Sequence, residues 1–194
     1  MRKIARMLFV VVGLLAIAAS TAQASRGIRL SSSGPITATG RLTMNGSTIC
    51  TVSLTLTAAT TLSKTRGITQ GTVTAGSITA CSSPIGVNSG VVLTPISIEY
   101  DSFTGLLPNI SGINIIASNA GFRLDAFGGG VRCLYGGRMT GITFNITGGR
   151  VTGVTFASNT LPLVAGSGLC PAGGTVAGPL TVTPASSAPT VTLV

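Results

Sequence analysis

The sequence predicts an all-β protein, a disulfide-stapled antiparallel β-sandwich or Greek-key barrel that follows a cleaved signal peptide. Three observations indicate this class. Thr, Val, Ile and Leu dominate the chain, and no stretch after the N-terminus carries an apolar stripe of helical period. Gly and Pro interrupt the apolar segments at short intervals, as in proteins built from many short strands. Four cysteines supply a disulfide framework.

The N-terminus has the three parts of a secretion signal. Its basic region, apolar region and small-x-small cleavage site are, in order, Arg2 to Arg6, Met7 to Ala19 and Ala22-Gln23-Ala24. We therefore predict a signal peptide over residues 1–24, cleaved after Ala24, and no transmembrane anchor in the mature chain. Residues 25–194 then form a β domain that is secreted or held at the cell surface.

Charge and composition exclude several functions. The chain has 12 Lys and Arg, three acids and no His, so its formal charge is +9 and falls to +6 once the three basic residues of the signal are removed. These charges are dispersed and aromatic residues make up only 4%, so nucleic-acid binding is not expected. Without His there is no imidazole base, His metal ligand or Ser-His triad. We therefore expect no enzyme, metal or cofactor.

The first clear strand runs from Cys50 to Thr57. Its apolar residues Val52, Leu54 and Leu56 alternate with Thr and Ser. This period of two places the apolar side chains on one face and the hydroxyls on the other. Thr on the outer face and Val, Leu and Ile on the inner face keep a chain with few charges soluble.

Two hairpins are predicted in the second half. Their paired segments are Ile142–Thr147 with Arg150–Phe156, and Phe122–Phe127 with Val131–Tyr135. Gly148-Gly149 joins the first pair and tolerates the positive φ that a two-residue hairpin turn requires. Gly153 interrupts a strand and predicts a bulge or bend.

The two halves have similar orders of elements. Residues 36–84 and 122–184 each contain a Cys, strands, a Gly-x-Val-Thr-like strand and a second Cys, which is typical of an old duplication or of two similar sheets in one sandwich. Four cysteines allow three connectivities, and the pattern of the halves favours pairing within each half. The favoured pairs are Cys50–Cys81 and Cys133–Cys170. No C-x-x-C pair is present to indicate zinc or thioredoxin-like chemistry.

Glu99 and Asp101 are the only closely spaced carboxylates. Strand alternation places Ile96, Ile98 and Tyr100 on one face and both acids on the other. Paired carboxylates serve glycosidases and help to bind Ca²⁺, but a glycosidase also needs aromatic sugar platforms. We interpret Glu99 and Asp101 as solvated charges on the wet face of a strand, and keep them as weak surface-acid candidates.

Several segments together resemble a known family. They are the signal peptide, a strand with Ala38-Thr39-Gly40, the Thr-rich strand after Cys50, and Cys170 followed by residues 178–184. In these features the chain resembles the small secreted proteins known as Pra-type activators of alkane oxidation. The resemblance implies an extracellular, non-catalytic protein that helps cells to meet hydrocarbon, as a surface-active or matrix component.

Three functions follow as hypotheses. The first is a secreted non-catalytic β-sandwich protein whose partner is an apolar ligand or a hydrocarbon or cell-surface interface. The alternative is a structural cell-surface or pilus-like subunit that assembles with like subunits by strand addition, donating Thr190–Val194 or the strand near Leu30. The third is a secreted hydrolase that uses Glu99 and Asp101.

Overall fold

The computed structural model describes residues 27–32, 34–84, 86–106 and 109–194. The predicted signal peptide and its cleavage site lie outside the described residues. The strands are β1 (Ile28–Leu30), β2 (Ile36–Met44), β3 (Thr48–Ala58), β4 (Thr61–Leu62), β5 (Thr69–Ser82), β6 (Val87–Val92), β7 (Ile96–Leu106), β8 (Asn109–Ala126), β9 (Val131–Thr147), β10 (Arg150–Gly166), β11 (Gly173–Val182) and β12 (Val191–Leu193). Two short 3-10 helices cover Phe127–Gly129 and Ala185–Ser187. In the described part of the chain, no helix has the length and apolar character needed to cross a lipid bilayer.

Nine strands form one antiparallel sheet that closes on itself as a barrel. Strand β11 returns to pair with β2, and β3 pairs with both β2 and β5. Strands β6 and β7 lie end to end, because each pairs with β5 on one side and β8 on the other. The nine strands therefore fill eight positions around the barrel. A barrel of eight strands has an interior wide enough for side chains or for one small ligand.

The prediction of a disulfide-stapled, antiparallel all-β fold is confirmed, and the barrel is the form realised. Neighbours in the barrel follow the order of the chain, so the strands make a meander. A Greek key requires one long connection that returns the fourth strand beside the first. Tight turns such as Asn45–Ser47 and Gly148-Gly149 join successive strands here, so each strand packs beside its predecessor.

A three-stranded sheet of order β12-β1-β4 forms what we call the cap. Its inner face is apolar, with Ile28, Leu30 and Leu62 buried. The predicted C-terminal strand is present as β12, at the edge of this sheet. The strand near Leu30 is β1, and it pairs with β12 of the same chain.

Alternation along the strands builds the core. In β3, Cys50, Val52 and Leu56 are buried and Leu54 is half-buried, whereas Thr51 and Ser53 lie toward the outer face. This is the pattern predicted for Cys50–Thr57. Inward-facing residues of the other strands join them in one cluster, because a closed sheet has a single inner face.

Both predicted hairpins are confirmed. Val151 pairs with Ile146, and the intervening Gly148 and Gly149 have φ of 57° and 72°, as a two-residue hairpin turn requires. In the second hairpin Leu124 pairs with Cys133. The predicted irregularity at Gly153 is present as a shift of register after Val151.

The side chain of Asn159 hydrogen-bonds to backbone groups where the pairing of β9 with β10 is interrupted. Pairing between β9 and β10 stops after Phe156 and resumes at Leu163. Within the gap, the backbone N–H of Thr140 donates to Asn159 Oδ1 at 3.0 Å, and Asn159 Nδ2 donates to the carbonyl of Ala157 at 2.7 Å. The buried amide thus supplies one acceptor and one donor that the interrupted ladder lacks.

Replacing Asn159 by Ala should lower the free energy of unfolding by about 2 kcal/mol, because two backbone groups lose their partners in a buried place. Urea denaturation followed by circular dichroism measures the change. Asn88→Ala is the matched control, since Asn88 is exposed in β6, and it should stay within about 0.5 kcal/mol of the wild type. Equal losses in the free energy of unfolding in the two variants would show that the hydrogen bonds of Asn159 do not stabilise the barrel.

Candidate ligand-binding cavity

The interior of the barrel contains three adjoining cavities. The cap cavity has a volume of about 40 Å³, the middle cavity about 50 Å³ and the disulfide-end cavity about 60 Å³. The cap and middle cavities share the wall residues Leu56, Ile98, Ile115 and Phe144. The middle and disulfide-end cavities share Leu54, Ile96, Ala120, Met139 and Phe156. Shared walls place the three cavities in series through the barrel.

The walls of these cavities are almost entirely apolar. Ala117, Ile142 and Val154 line the middle cavity, and no polar side chain belongs to its wall. Small side chains on β8, Ala117 and Ala120, leave space that larger residues would fill. An apolar cavity of this kind excludes water and accepts apolar molecules.

The cap closes one end of the series. Leu30 and Leu62 of the cap line the cap cavity together with Pro189. Two polar side chains, Gln70 and Tyr100, belong to the same wall. The atoms of the wall that face the cap cavity are nevertheless almost all apolar.

Gln70 and Tyr100 differ in their hydrogen bonding. Gln70 Oε1 accepts from the backbone N–H of Ser63 at 2.9 Å, and its Nε2 donates to the carbonyl of Ile68 at 3.2 Å. The Tyr100 hydroxyl makes no hydrogen bond to any described residue. Burial, and secondarily the Asp101 carboxylate, raise the pKa of Tyr100, against a smaller opposing effect of Arg66. Its phenol is therefore a proton donor at neutral pH.

Tyr135 closes the interior toward the opposite end. It is fully buried, and its ring lies 5.1 Å from that of Phe122. Asn45 Nδ2 donates to its hydroxyl at 3.4 Å. Burial raises the pKa of Tyr135, and the bond from Asn45 opposes that rise. Its ring and its hydroxyl therefore both have partners within the protein.

Both disulfides have the predicted pairing and lie at the end of the barrel opposite the cap. Cys50–Cys81 joins β3 to β5, and Cys133–Cys170 joins β9 to the loop between β10 and β11. Among the described residues no cysteine is free. The bonds hold neighbouring strands together at the end where the cap makes no contact.

The weak surface-acid candidates lie on β7 beside this site, outside the cavities. Ser118 Oγ donates to Glu99. Arg66 forms an ion pair with Asp101 at 3.0 Å, with the arginine side chain largely exposed. Each carboxylate thus has its own partner, and neither side chain belongs to a cavity wall.

The third acid, Asp125, sits on β8 with two arginines. Arg123 Nε lies 3.0 Å from Asp125 Oδ1, and Arg132 Nε lies 3.8 Å from the same oxygen. Within the described ranges no group of three His, Cys, Asp or Glu side chains is placed to hold a metal ion. Each of the three acids thus interacts with a different partner: Glu99 with a serine hydroxyl, and Asp101 and Asp125 with arginines.

Sequence reasoning placed Tyr100 on the apolar face of its strand but did not single it out. The only available signal was a phenol within an otherwise aliphatic face, which indicates a buried hydroxyl that needs a partner. The cavities themselves had no local signal, because each wall combines residues from several distant strands.

Comparisons with family models, with curated proteins and with solved structures found no match to this chain. The fold and the cavities define its class on their own: a disulfide-stapled antiparallel barrel with a capped, apolar interior.

Proposed function

We propose that this chain is an extracellular, non-catalytic protein that binds an apolar molecule inside its barrel. The observation that carries the proposal is the series of three adjoining apolar cavities. Burying apolar surface of a ligand in such a space gains roughly 25 cal/mol per Å². An extracellular location is supported by the two disulfides, which persist in oxidising compartments.

The shape of the interior favours a slender ligand. An engineered cavity of about 150 Å³ accepts benzene, whereas each cavity here is well below that volume. Because the cavities lie in series, an unbranched hydrocarbon chain matches them better than a ring system. This ligand class agrees with the hydrocarbon role that the resemblance to alkane-oxidation activators implies.

Binding inside the barrel is favoured over adsorption through the outer surface. Leu106, strongly exposed, lies toward the cap end, whereas the exposed Phe127 and Leu169 lie in turns at the disulfide end. Leu106 is therefore separated by the length of the barrel from Phe127 and Leu169, and these three side chains do not share one face. The outer faces of the strands carry mainly Thr and Ser, and an interfacial protein needs a contiguous apolar patch.

The binding of octane to purified mature protein tests the proposal. The loss of octane from the headspace above protein solutions measures binding by gas chromatography. Ala117→Leu adds three carbon atoms to the wall of the middle cavity and should weaken octane binding at least tenfold. Val154→Ala enlarges the same cavity and should not weaken it. Leu169→Ser is the matched control, and it should bind octane as the wild type does.

Two further results decide the outcome. Ala120→Val, a smaller addition, replaces Ala117→Leu if that variant does not fold, as circular dichroism would show. Equal octane uptake by the cavity-filling variants and the wild type would contradict binding inside the barrel. If the protein instead accumulated on hexadecane droplets, and this accumulation required Leu169, adsorption to a hydrocarbon interface would replace binding inside the barrel as the proposed function. A protein that took up no octane and stayed in water would favour the structural subunit.

A further inference from the structure

The outer face of the cap carries a cation between hydroxyl groups. In β1, Ile28 and Leu30 are buried beneath the sheet, so strand alternation turns the exposed Arg29 to the opposite side. The residues that pair with Arg29 in the neighbouring strands are Thr61 of β4 and Thr192 of β12, and both are exposed. The cap therefore covers the apolar interior with one face and presents a guanidinium between threonines on the other.

A cleft of about 330 Å³, which we call the outer cleft, opens on this face. It is lined by Leu30, by Arg29 and by four residues that carry hydroxyls: Ser31, Thr60, Thr190 and Thr192. Guanidinium and hydroxyl groups are donors with which proteins recognise phosphate oxygens. The outer cleft thus has both the room and the donors for a phosphate-bearing head group.

Three cations at this end of the barrel have no acidic partner among the described residues. Arg29 is the first of them, and Lys64 is exposed just after β4. Arg150 begins β10, where its backbone bridges to Thr190 of the outer cleft. The ion pairs that the described residues form include none of these three side chains. Their positive charge is therefore available to an anionic surface.

The acids of the described chain do not offset these cations. Asp101 of the adjoining strand β7 is already paired with Arg66 at 3.0 Å. Glu99, on the same strand, accepts a hydrogen bond from Ser118. Asp125 lies near the disulfide end of β8 with its own arginine partners. The unpaired positive charge is thus concentrated at the cap end.

Two exposed apolar side chains lie at the same end. Leu106, at the end of β7, is 86% exposed, and Ile68, in the loop between β4 and β5, is 47% exposed. Cations beside isolated apolar side chains suit the surface of an anionic bilayer, because the cations attract phosphates while the apolar side chains enter the boundary below the head groups. A hydrocarbon droplet offers no phosphates, and an acidic polysaccharide offers no apolar boundary for Leu106.

We propose that the cap end docks on a lipid bilayer that presents anionic phosphate head groups, with one head group held in the outer cleft by Arg29. Lys64 and Arg150 attract neighbouring head groups, and Leu106 enters the bilayer surface. This inference is independent of the proposed function, because the outer cleft and the interior lie on opposite faces of the cap. Docking in this orientation brings the capped end of the barrel to the membrane.

Co-sedimentation of the mature protein with vesicles tests the docking. Vesicles of phosphatidylcholine mixed equally with phosphatidylglycerol should bind about tenfold or more tightly than vesicles of phosphatidylcholine alone, and added salt should release the protein. The double variant Arg29→Gln with Arg150→Gln should bind the mixed vesicles about twentyfold more weakly, since each cation near an anionic surface contributes about fivefold.

The matched control is Arg41→Gln with Arg138→Gln. Both arginines are exposed on the barrel wall, and neither has an ion-pair partner among the described residues. This double variant loses the same net charge, yet it should weaken vesicle binding by less than about threefold, because salt screens charges that lie away from the docked surface. Equal losses in the two double variants would show that net charge governs binding and would overturn the proposal.

The role of Leu106 separates a bilayer from a soluble polyanion. Leu106→Ser should weaken binding to the mixed vesicles about threefold or more, whereas Leu169→Ser, at the disulfide end, should leave it unchanged. If dextran sulfate binds as tightly as the mixed vesicles and Leu106→Ser has no effect, an acidic polysaccharide replaces the bilayer as the partner. Equal binding to neutral and anionic vesicles would also overturn the proposal.

Two further measurements complete the test. Circular dichroism shows whether each variant folds, and Lys64→Gln with Arg150→Gln replaces the first double variant if that one does not. Octane uptake by the variants of the cap end should equal that of the wild type. A protein that binds anionic vesicles and takes up no octane would overturn the proposed function alone, and the reverse result would overturn the docking alone.

Discussion

Removing both disulfides should lower the free energy of unfolding by about 7 kcal/mol. Each bond closes a loop of a few tens of residues, since the paired cysteines are 31 and 37 positions apart. In the chain-entropy model, closing such a loop is worth about 3–4 kcal/mol. The two loops do not overlap along the chain, so their effects should add. Because domains are stable by only about 5–15 kcal/mol, a chain without both bonds should be largely unfolded.

Variants with paired replacements of cysteine by alanine provide the measurement. Cys50→Ala with Cys81→Ala, and Cys133→Ala with Cys170→Ala, should each lose about half of the total in urea denaturation. As a control, iodoacetamide should label no thiol in the native protein. Labelling of two or more thiols, or a loss below about 1 kcal/mol when both bonds are absent, would contradict the stapling role.

Replacing Gly174 by Ala should cost about 3 kcal/mol, because the added carbon would clash with a buried aromatic pair. A Cβ on Gly174 would lie 2.5 Å from Cγ of Tyr135 and 2.8 Å from Cζ of Phe122. Cγ is fixed close to the backbone of β9, so this ring cannot move aside without displacing its strand. The absence of a side chain at Gly174 therefore allows β11 to lie close to the buried aromatic pair.

A double-mutant cycle tests this contact. In a Tyr135→Ala background, the additional cost of Gly174→Ala should fall below about 1 kcal/mol, because the ring that cannot move aside is gone and only the far end of the Phe122 ring, at 2.8 Å, still meets the added Cβ. Gly168→Ala is the control, since no atom lies within 4 Å of a Cβ built there, and it should change stability by less than about 0.5 kcal/mol. A cost of Gly174→Ala that is the same in both backgrounds would show that the clash with Tyr135 is not its cause.

The proposed hydrocarbon ligand is consistent with a role in transport outside the cell. A secreted protein that shields a hydrocarbon chain from water can carry it from a droplet to a cell, since the chain leaves an apolar phase for an apolar interior. The alkane-oxidation resemblance implies such a role, and the octane measurement tests its physical basis. The pairing of β1 with β12 already uses, within one chain, the two strands that a subunit assembled by strand addition would donate.

Local patterns predicted much of the barrel wall. The alternation from Cys50 to Thr57 identified β3 and its inner face, because strand geometry fixes which side chains share a face. Gly148-Gly149 located a hairpin through the φ values that its turn requires. The turn at Asn45-Gly46 carried an equally clear Asn-Gly signal, which the sequence reasoning did not use for a hairpin. The similar orders of the two halves favoured, among three possible connectivities, the disulfide pairing that the structure confirms.

The amino-acid sequence alone predicted the all-β class, the inward-facing residues of its clearest strands and two of the hairpins, because these depend on side-chain period and on turn residues. For the disulfides it favoured one of three connectivities, which the structure confirms. Only the tertiary structure decided that β11 returns to β2 and that β6 and β7 share one position, since closure depends on pairing between distant segments. The cavities follow from that closure. A void belongs to the strands that surround it, and no single segment encodes it.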